Sequence, residues 1–317
     1  MTSRERSYAV VGAGAVGGLY GGQLQRAGFP VHFLFHQDYA HVVNHGLRID
    51  SWQGDFYLPQ VQAYPQVSQM PACDVVIVAI KTLQNHLLTE LLPPLLKPDG
   101  IVLLLQNGLG GEEWVAKIIG PKRVIAGLCF VSSNKIGPGH IHHLDYGSVH
   151  LAEYGDNYQV KGITQGMLAI QSDFQESGIP VQLGEDWVLS RWQKLVWNIP
   201  FNGLSVIFNA TTDQMMSSED ARYLIKKLMQ EVVVGAAAWG RTIADEFLQE
   251  MIEKTEKMKP YRTSMKIDYE QRRPLEIEAI IGHPWRSAQS QGVDLTHIQM
   301  LYHQLKFLDQ FNRDCLI

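Results

Sequence analysis

The stretch Tyr8-Ala9-Val10-Val11-Gly12-Ala13-Gly14-Ala15-Val16-Gly17 decides the fold of this chain. Tyr8 to Val11 is a short apolar run, the pattern of a buried strand. Small and apolar residues from Val16 to Ala27 suit a helix, and Gly28 stands where a helix takes its C-terminal cap. Val31 to Phe35 is a second strand one helix later, so the unit reads β-α-β, with parallel strands and a right-handed crossover. Gly12, Gly14 and Gly17 have G-x-G-x-x-G spacing, a weak signal alone but a meaningful one between a strand and a helix. The first glycine allows a tight turn, the second lets the backbone approach a pyrophosphate, and the third lets helix and strand pack closely. Free N–H groups and the positive dipole end at the helix start would face the phosphates. Gly12, Ala13, Gly14, Ala15, Val16 and Gly17 are thus the expected cofactor-binding loop, and a dinucleotide is the expected ligand.

Outward from this loop, Val75–Ile80, Ile101–Leu105 and Val124–Val131 read as strands. A helical stretch from Leu83 to Leu92 lies between the first two and is closed by Pro93-Pro94. Two local hairpins are expected, Leu47 to Leu58 turning at Gln53-Gly54, and His140 to Glu153 turning near Asp145-Tyr146-Gly147. A helix from Thr164 to Glu176 and a strand Ile179–Leu183 follow, and beyond Gly184 helical segments dominate. The fold class is therefore α/β: an N-terminal Rossmann doubly wound parallel sheet over residues 1–184, then a second, all-helical C-terminal domain over 185–317 for substrate and catalysis.

A length of 317 residues accommodates both domains. The net charge of −5, with no block of like charge, argues against a nucleic-acid partner. No strongly apolar run of about 20 residues occurs, so no membrane partner is expected. Arg4 and Arg6 precede the uncharged run Ser7 to Gln25, but glycines interrupt it, so a secretory signal is not expected. Cys73, Cys129 and Cys315 are scattered and lack C-x-x-C spacing, which fits reduced thiols in a cytoplasmic protein. His140 and His142 share a strand face while His143 points the other way, so no metal is assigned to them.

The second strand ends in Phe35-His36-Gln37-Asp38. A carboxylate at that end would bond the ribose hydroxyls of NAD, whereas a basic group would take the 2′-phosphate of NADP. The strand end carries no carboxylate, and Asp38, two residues late, reads as the N-cap of the next helix. NADP is favoured and NAD is left open.

Further strings match one family in order. Ala79-Ile80-Lys81-Thr82 ends a strand, and Gln106-Asn107-Gly108 ends the next. Lys194, Asn198 and Asn202 follow at i, i+4, i+8, then Thr263-Ser264-Met265 and Glu276-Ile277-Glu278. Over nearly the whole chain this set resembles the ketopantoate reductase (2-dehydropantoate 2-reductase) family. The resemblance implies NADPH as cofactor and a small 2-oxo acid as substrate, with ketopantoate reduced to pantoate on the way to coenzyme A. It implies that Lys81 and Asn107 meet the cofactor towards its nicotinamide end. Lys194 would be the proton donor, Asn198 and Asn202 would hold the substrate, and Ser264 would bind its carboxylate. Glu276 would reach the substrate hydroxyl or the nicotinamide ribose, which puts it in both the catalytic and the cofactor-binding sets.

This chain departs from the family pattern at His36-Gln37, where an arginine is usual, and at Thr212, where an asparagine is usual. Glu278 and Ile281 also stand in variant positions, and the helix-end proline has moved to Pro200. Alternatives on the same scaffold are reduction of another branched 2-oxo acid and a 3-hydroxy acid dehydrogenase. A non-catalytic dinucleotide sensor is the alternative from another class, and a homodimer through the helical domain is compatible with the sequence.

The residue types suit the chemistry. As hydride reaches a keto carbon, alkoxide charge grows on the oxygen, and a nearby ammonium stabilises it and then gives up a proton. Spacing of four stacks Lys194, Asn198 and Asn202 on one helix face. Their neighbours Leu195, Val196, Trp197, Ile199 and Phe201 are apolar, so the two amides need partners. Pro200 removes the backbone bond to Val196 and is expected to kink the helix. Read alone, Lys194 is a helix-surface lysine and Ser264 a helix or turn capper.

Overall fold

The computed structural model describes residues 3–314, so Cys315 lies outside the described residues. By its internal contacts the chain divides into two compact units. One comprises residues up to Gln106 together with Gly111–Trp187, and the other comprises Asn107–Gly110 together with the residues from Val188 on.

The first unit opens with β1 (Tyr8–Val11), α1 (Ala15–Arg26), β2 (Val31–Leu34), α2 (Tyr39–His45), β3 (Leu47–Ser51), β4 (Phe56–Leu58) and β5 (Gln62–Tyr64). It continues with β6 (Cys73–Val78), α3 (Leu88–Leu95), β7 (Leu96–Leu104), α4 (Gly111–Ile119), β8 (Val124–Gly137), β9 (His140–Glu153), α5 (Gln165–Glu176) and β10 (Val181–Gly184). The strands form one sheet in the order β4-β3-β9-β8-β7-β6-β1-β2-β5, with β10 beside β9. From β5 to β8 all neighbours are parallel, the doubly wound arrangement expected of repeated β-α-β units. All four residues of β1 are buried, as a central strand covered on both faces requires. Helix α1 lies close to the sheet because it is glycine-rich. A Cβ on Gly18 would stand 2.4 Å from Ile141 Cδ1, and one on Gly21 would stand 2.6 Å from Phe33 Cε1.

Two local expectations are corrected. Residues His140 to Glu153 are not a hairpin but one 14-residue strand, antiparallel to an equally long β8 around a turn at Pro138-Gly139. The segment Asp145-Tyr146-Gly147 is a bulge: Phe130 pairs with Ser148 and Val131 with Tyr146, leaving Gly147 extra. Positive φ at Tyr146 (59°) and Gly147 (126°) imitates a turn signal in sequence but here re-aims a continuous strand. The helix before β7 also differs from expectation. A 3₁₀ segment, Thr82–Leu87, precedes α3, which runs through Pro93 and Pro94. The prolines sit on the exposed side, as do Thr89 and Glu90, whose carbonyls the prolines offer no N–H, while Leu88, Leu92 and Leu95 are buried opposite.

The second unit is helical, with α6 (Trp187–Ile207, of which only the first residue belongs to the other unit), α7 (Thr212–Ser217), α8 (Glu219–Ala238), α9 (Asp245–Lys257), α10 (Ser264–Glu270), a π-helical turn Glu278–Gly282, α11 (His283–Gln289) and α12 (Thr296–Asp314). Helix α6 does not end at Pro200. Its fully buried Trp192 packs on α8 where Gly235 lacks a side chain, and its Gly203 does the same for Leu301 of α12. Trp197 donates to Thr255 Oγ1 at 3.0 Å and stacks on Phe201, so these tryptophans are packing residues. Among the described residues no helix is long and apolar enough to cross a membrane.

Candidate functional site

In the first unit the three loop glycines differ in what surrounds them. Gly12 has φ +98°, and a Cβ there would lie 2.4 Å from Ile80 N, so only glycine makes this turn. A Cβ on Gly17 would lie 2.3 Å from Gly12 O and 3.1 Å from Ala79 Cβ, which is the close strand–helix packing expected of the third glycine. A Cβ on Gly14, by contrast, would meet nothing within 4 Å. The open space lies where a pyrophosphate would approach. Gly14 is the N-cap of α1, with Gly18 N–H reaching its carbonyl at 2.9 Å, so the N–H groups before Gly18 have no intrahelical acceptor. No acidic residue occupies the first turn to compete for them. These residues fit a dinucleotide phosphate.

Lys81 follows β6, exposed, at the edge where Ile80 packs on Gly12. That turn is pinned by Gln106, whose amide donates to Ile80 O at 2.8 Å and to Asn85 Oδ1 at 2.7 Å. Asp38 takes the N-cap position of α2 but makes no side-chain cap bond. Its carboxylate instead receives Lys135 Nζ at 2.6 Å and the Gly139 N–H at 3.1 Å, a use the sequence did not disclose. Nearby His36 is exposed.

The helical unit gathers most of the other candidates. Lys194, Asn198 and Asn202 are 8%, 5% and 3% exposed, so the row on α6 is buried rather than solvated. Asn198 Nδ2 donates to Asn107 Oδ1 at 3.4 Å. Asn202 Oδ1 accepts from Met265 N at 3.4 Å and from Ser264 Oγ at 3.5 Å. The helix cap of α10 is Thr263, which receives Lys266 N at 3.2 Å and bonds Ser205 at 2.8 Å. Ser264 is therefore not the cap, and its hydroxyl is turned to Asn202. The signal was available in Thr263-Ser-Met-Lys266, whose first residue is a good N-cap.

Asn107 belongs to this unit because its loop docks on the π-helical turn. Leu109 N donates to Ala279 O at 2.9 Å, and His283 Nδ1 lies 2.9 Å from Leu109 O. Glu276, 8% exposed, stands just before that turn. Short π segments concentrate at functional sites, because the extra residue re-aims neighbouring side chains. The variant Glu278 is held by charge and hydrogen bonds: Tyr302 and Arg286 each reach its carboxylate at 2.7 Å, and Lys306 at 3.3 Å. Thr212 is likewise structural, exchanging bonds with the backbone of Tyr261 at 3.0 and 3.1 Å.

Other chemistry-bearing groups are committed elsewhere. His140 bonds Asp50 at 2.7 Å, while buried His143 bonds Ser51 at 2.9 Å and Tyr146 O at 3.0 Å. Among the described residues Cys73 and Cys129 form no disulfide, and burial pushes the Cys73 thiol up to about 11, which keeps it protonated.

Comparison with known proteins bears on both units. The family model described as "Ketopantoate reductase PanE/ApbA" matches residues 8–156, and that described as "Ketopantoate reductase PanE/ApbA C terminal" matches residues 186–309. A 2-dehydropantoate 2-reductase of Nostoc sp. is 58% identical over 98% of this chain and 97% of its own length. Among solved structures, a 2-dehydropantoate 2-reductase from Geobacter metallireducens superposes with a TM-score of 0.91 at 38% identity, covering 95% of this chain and 99% of that one. The enzyme of the same name from Methylococcus capsulatus gives 0.87 at 30% identity, covering 96% and 97%.

Proposed function

The chain belongs to the ketopantoate reductase family of oxidoreductases, and on that ground we propose that it reduces 2-dehydropantoate to pantoate with NADPH. The observation that carries the reading is the buried row Lys194, Asn198 and Asn202, with Asn107 hydrogen-bonded to the first amide and Ser264 to the second. A protein that only sensed a nucleotide would have no use for a buried ammonium set among amides.

The two units divide the labour. Gly12 to Gly17 and Lys81 hold the nucleotide phosphates and the adjoining part of the cofactor. Asn198, Asn202 and Ser264 hold the acid through neutral donors and acceptors, so the substrate carboxylate is gripped without a second buried charge. When bound, the nicotinamide supplies the hydride. Lys194 stabilises the charge that grows on the keto oxygen and transfers its proton there, and bulk water reprotonates the amine afterwards. Glu276 orients the substrate hydroxyl or the nicotinamide ribose, and Asn107 orients the amide of Asn198.

The test is oxidation of NADPH by the purified protein with a panel of 2-oxo acids. The expected outcome is faster turnover of 2-dehydropantoate than of any other acid in the panel. Faster turnover of a different acid would reassign the substrate, and NADPH binding without any turnover would overturn the catalytic reading.

A further inference from the structure

Between Phe35 and Ile49, Asp38 is the sole acidic residue. β1 and β2 end in register, Val11 beside Leu34, so the segment holding Asp38 leaves the sheet at the edge that carries the glycine loop. A free carboxylate at that edge would favour ribose hydroxyls and repel a 2′-phosphate. Asp38 is not free. It is 7% exposed and is held by Lys135 Nζ at 2.6 Å and the Gly139 N–H at 3.1 Å. Both partners come from the β8–β9 hairpin. On β8, Lys135 shares a face with Ser133, whose hydroxyl donates to the carbonyl of Ala15 at 3.1 Å, at the very start of α1. The hairpin therefore reaches both the glycine helix and the segment after β2. Exposed His36 is the ionisable side chain left at the strand end.

We propose that Lys135 is a positioning residue for cofactor choice: it holds Asp38 in the hairpin, withdraws the one carboxylate that would reject a 2′-phosphate, and so sets a preference for NADPH over NADH. The arrangement replaces attraction by an arginine at the strand end with removal of a repulsive group, and specificity is gained as well by losing a repulsion as by adding an attraction. This inference rests on the nucleotide reading proposed above.

The experiment is titration of NADPH and NADH, followed by nucleotide fluorescence, against the wild-type protein, Lys135→Met, Asp38→Asn and the double variant. Melting curves check that each is folded. Lys135 is on the surface side of the hairpin, with its side chain 36% exposed, so the methionine variant is expected to fold. Lys135→Met should weaken NADPH by about tenfold or more while NADH changes by less than about threefold. Asp38→Asn in the Lys135→Met background should restore most of the NADPH affinity, because the released carboxylate is gone. Equal weakening of both nucleotides, or no change in either, overturns the proposal, as does failure of the second substitution to rescue. A wild-type protein that binds neither nucleotide would instead overturn the nucleotide reading itself, which separates the two failures.

Discussion

Asn198 Nδ2 lies 3.4 Å from Asn107 Oδ1, joining a residue of α6 to one that the sequence places at the end of a strand 91 positions earlier. The bond gives Asn198 a duty that Asn202 does not share, since the Asn202 oxygen is occupied by Ser264 and Met265 at the start of α10. The two amides should therefore fail differently. Asn198→Ala is expected to raise the KM for the acid by about tenfold and also to weaken NADPH binding, because Asn107 loses its orienting partner. Asn202→Ala should raise KM by a similar factor and leave NADPH affinity unchanged. Identical effects of both variants on NADPH affinity would sink this division.

Lys194→Ala removes the group assigned to the proton. A positioned general acid contributes about 10²- to 10⁴-fold, so kcat should fall by that range while the NADPH dissociation constant moves less than about threefold. Pre-steady-state and steady-state assays on the same preparation would show whether the loss is in chemistry. Unchanged turnover would remove Lys194 from the mechanism.

The loop glycines offer a contrast within one motif. Gly14→Ala adds a methyl group to open space, so the fold should tolerate it within about 1 kcal/mol, while nucleotide binding weakens by about tenfold or more as the methyl group enters the phosphate approach. Gly17→Ala puts its methyl group against the Gly12 carbonyl at 2.3 Å and should cost about 2–3 kcal/mol of stability. Urea unfolding beside nucleotide titration separates the two, and a destabilised Gly14→Ala would contradict the open cradle.

Gly108 combines φ +89° with a Cβ position only 2.1 Å from Ala279 O, whereas Gly28 has φ +97° and nothing within 4 Å. Gly28→Ala should therefore cost only the conformational term, about 1 kcal/mol. Gly108→Ala should cost about 3 kcal/mol or more, because the loop can no longer lie on the π-helical turn. Equal shifts in their urea midpoints would show that the Asn107–Gly110 contact does not constrain the loop.

Much of this was legible in the chain itself. The β-α-β unit and its glycines could be read from periodicity and spacing, since both are local properties of a segment. The row on α6 could be read as one helix face for the same reason. The partners of that row could not, because Asn107 and Ser264 are separated from it by 91 and 62 positions, and no local pattern encodes such pairings. The bulge in β9 is hidden in the sequence for a related reason. Asp145-Tyr146-Gly147 has turn chemistry, and only the length of β8 opposite makes it a bulge. Asp38 is the clearest case. Its N-cap position was readable, but its carboxylate is claimed by a lysine 97 residues on.

The departure at Glu278 yields a dependence on pH. Partial burial pushes this carboxyl up, but hydrogen bonds from Tyr302, Arg286 and Lys306 and the charge of Arg286 outweigh it and hold the group down at about 2, against an ordinary value of 4.5. A carboxyl depressed on folding stabilises the folded state above its unfolded pKa, and that contribution disappears as pH falls from about 4.5 towards about 2. With the side chain 42% exposed, solvent screening reduces the contribution to about 1 kcal/mol. Glu278→Gln should therefore lie below the wild type in urea stability near pH 7, and the gap should narrow as both are taken to about pH 3. Added salt near pH 7 should narrow it too, because the pairs with Arg286 and Lys306 are partly exposed. A gap that stays constant across the acid range would mean that Glu278 contributes by packing, and that its charge does not tie the π-helical turn to α11 and α12.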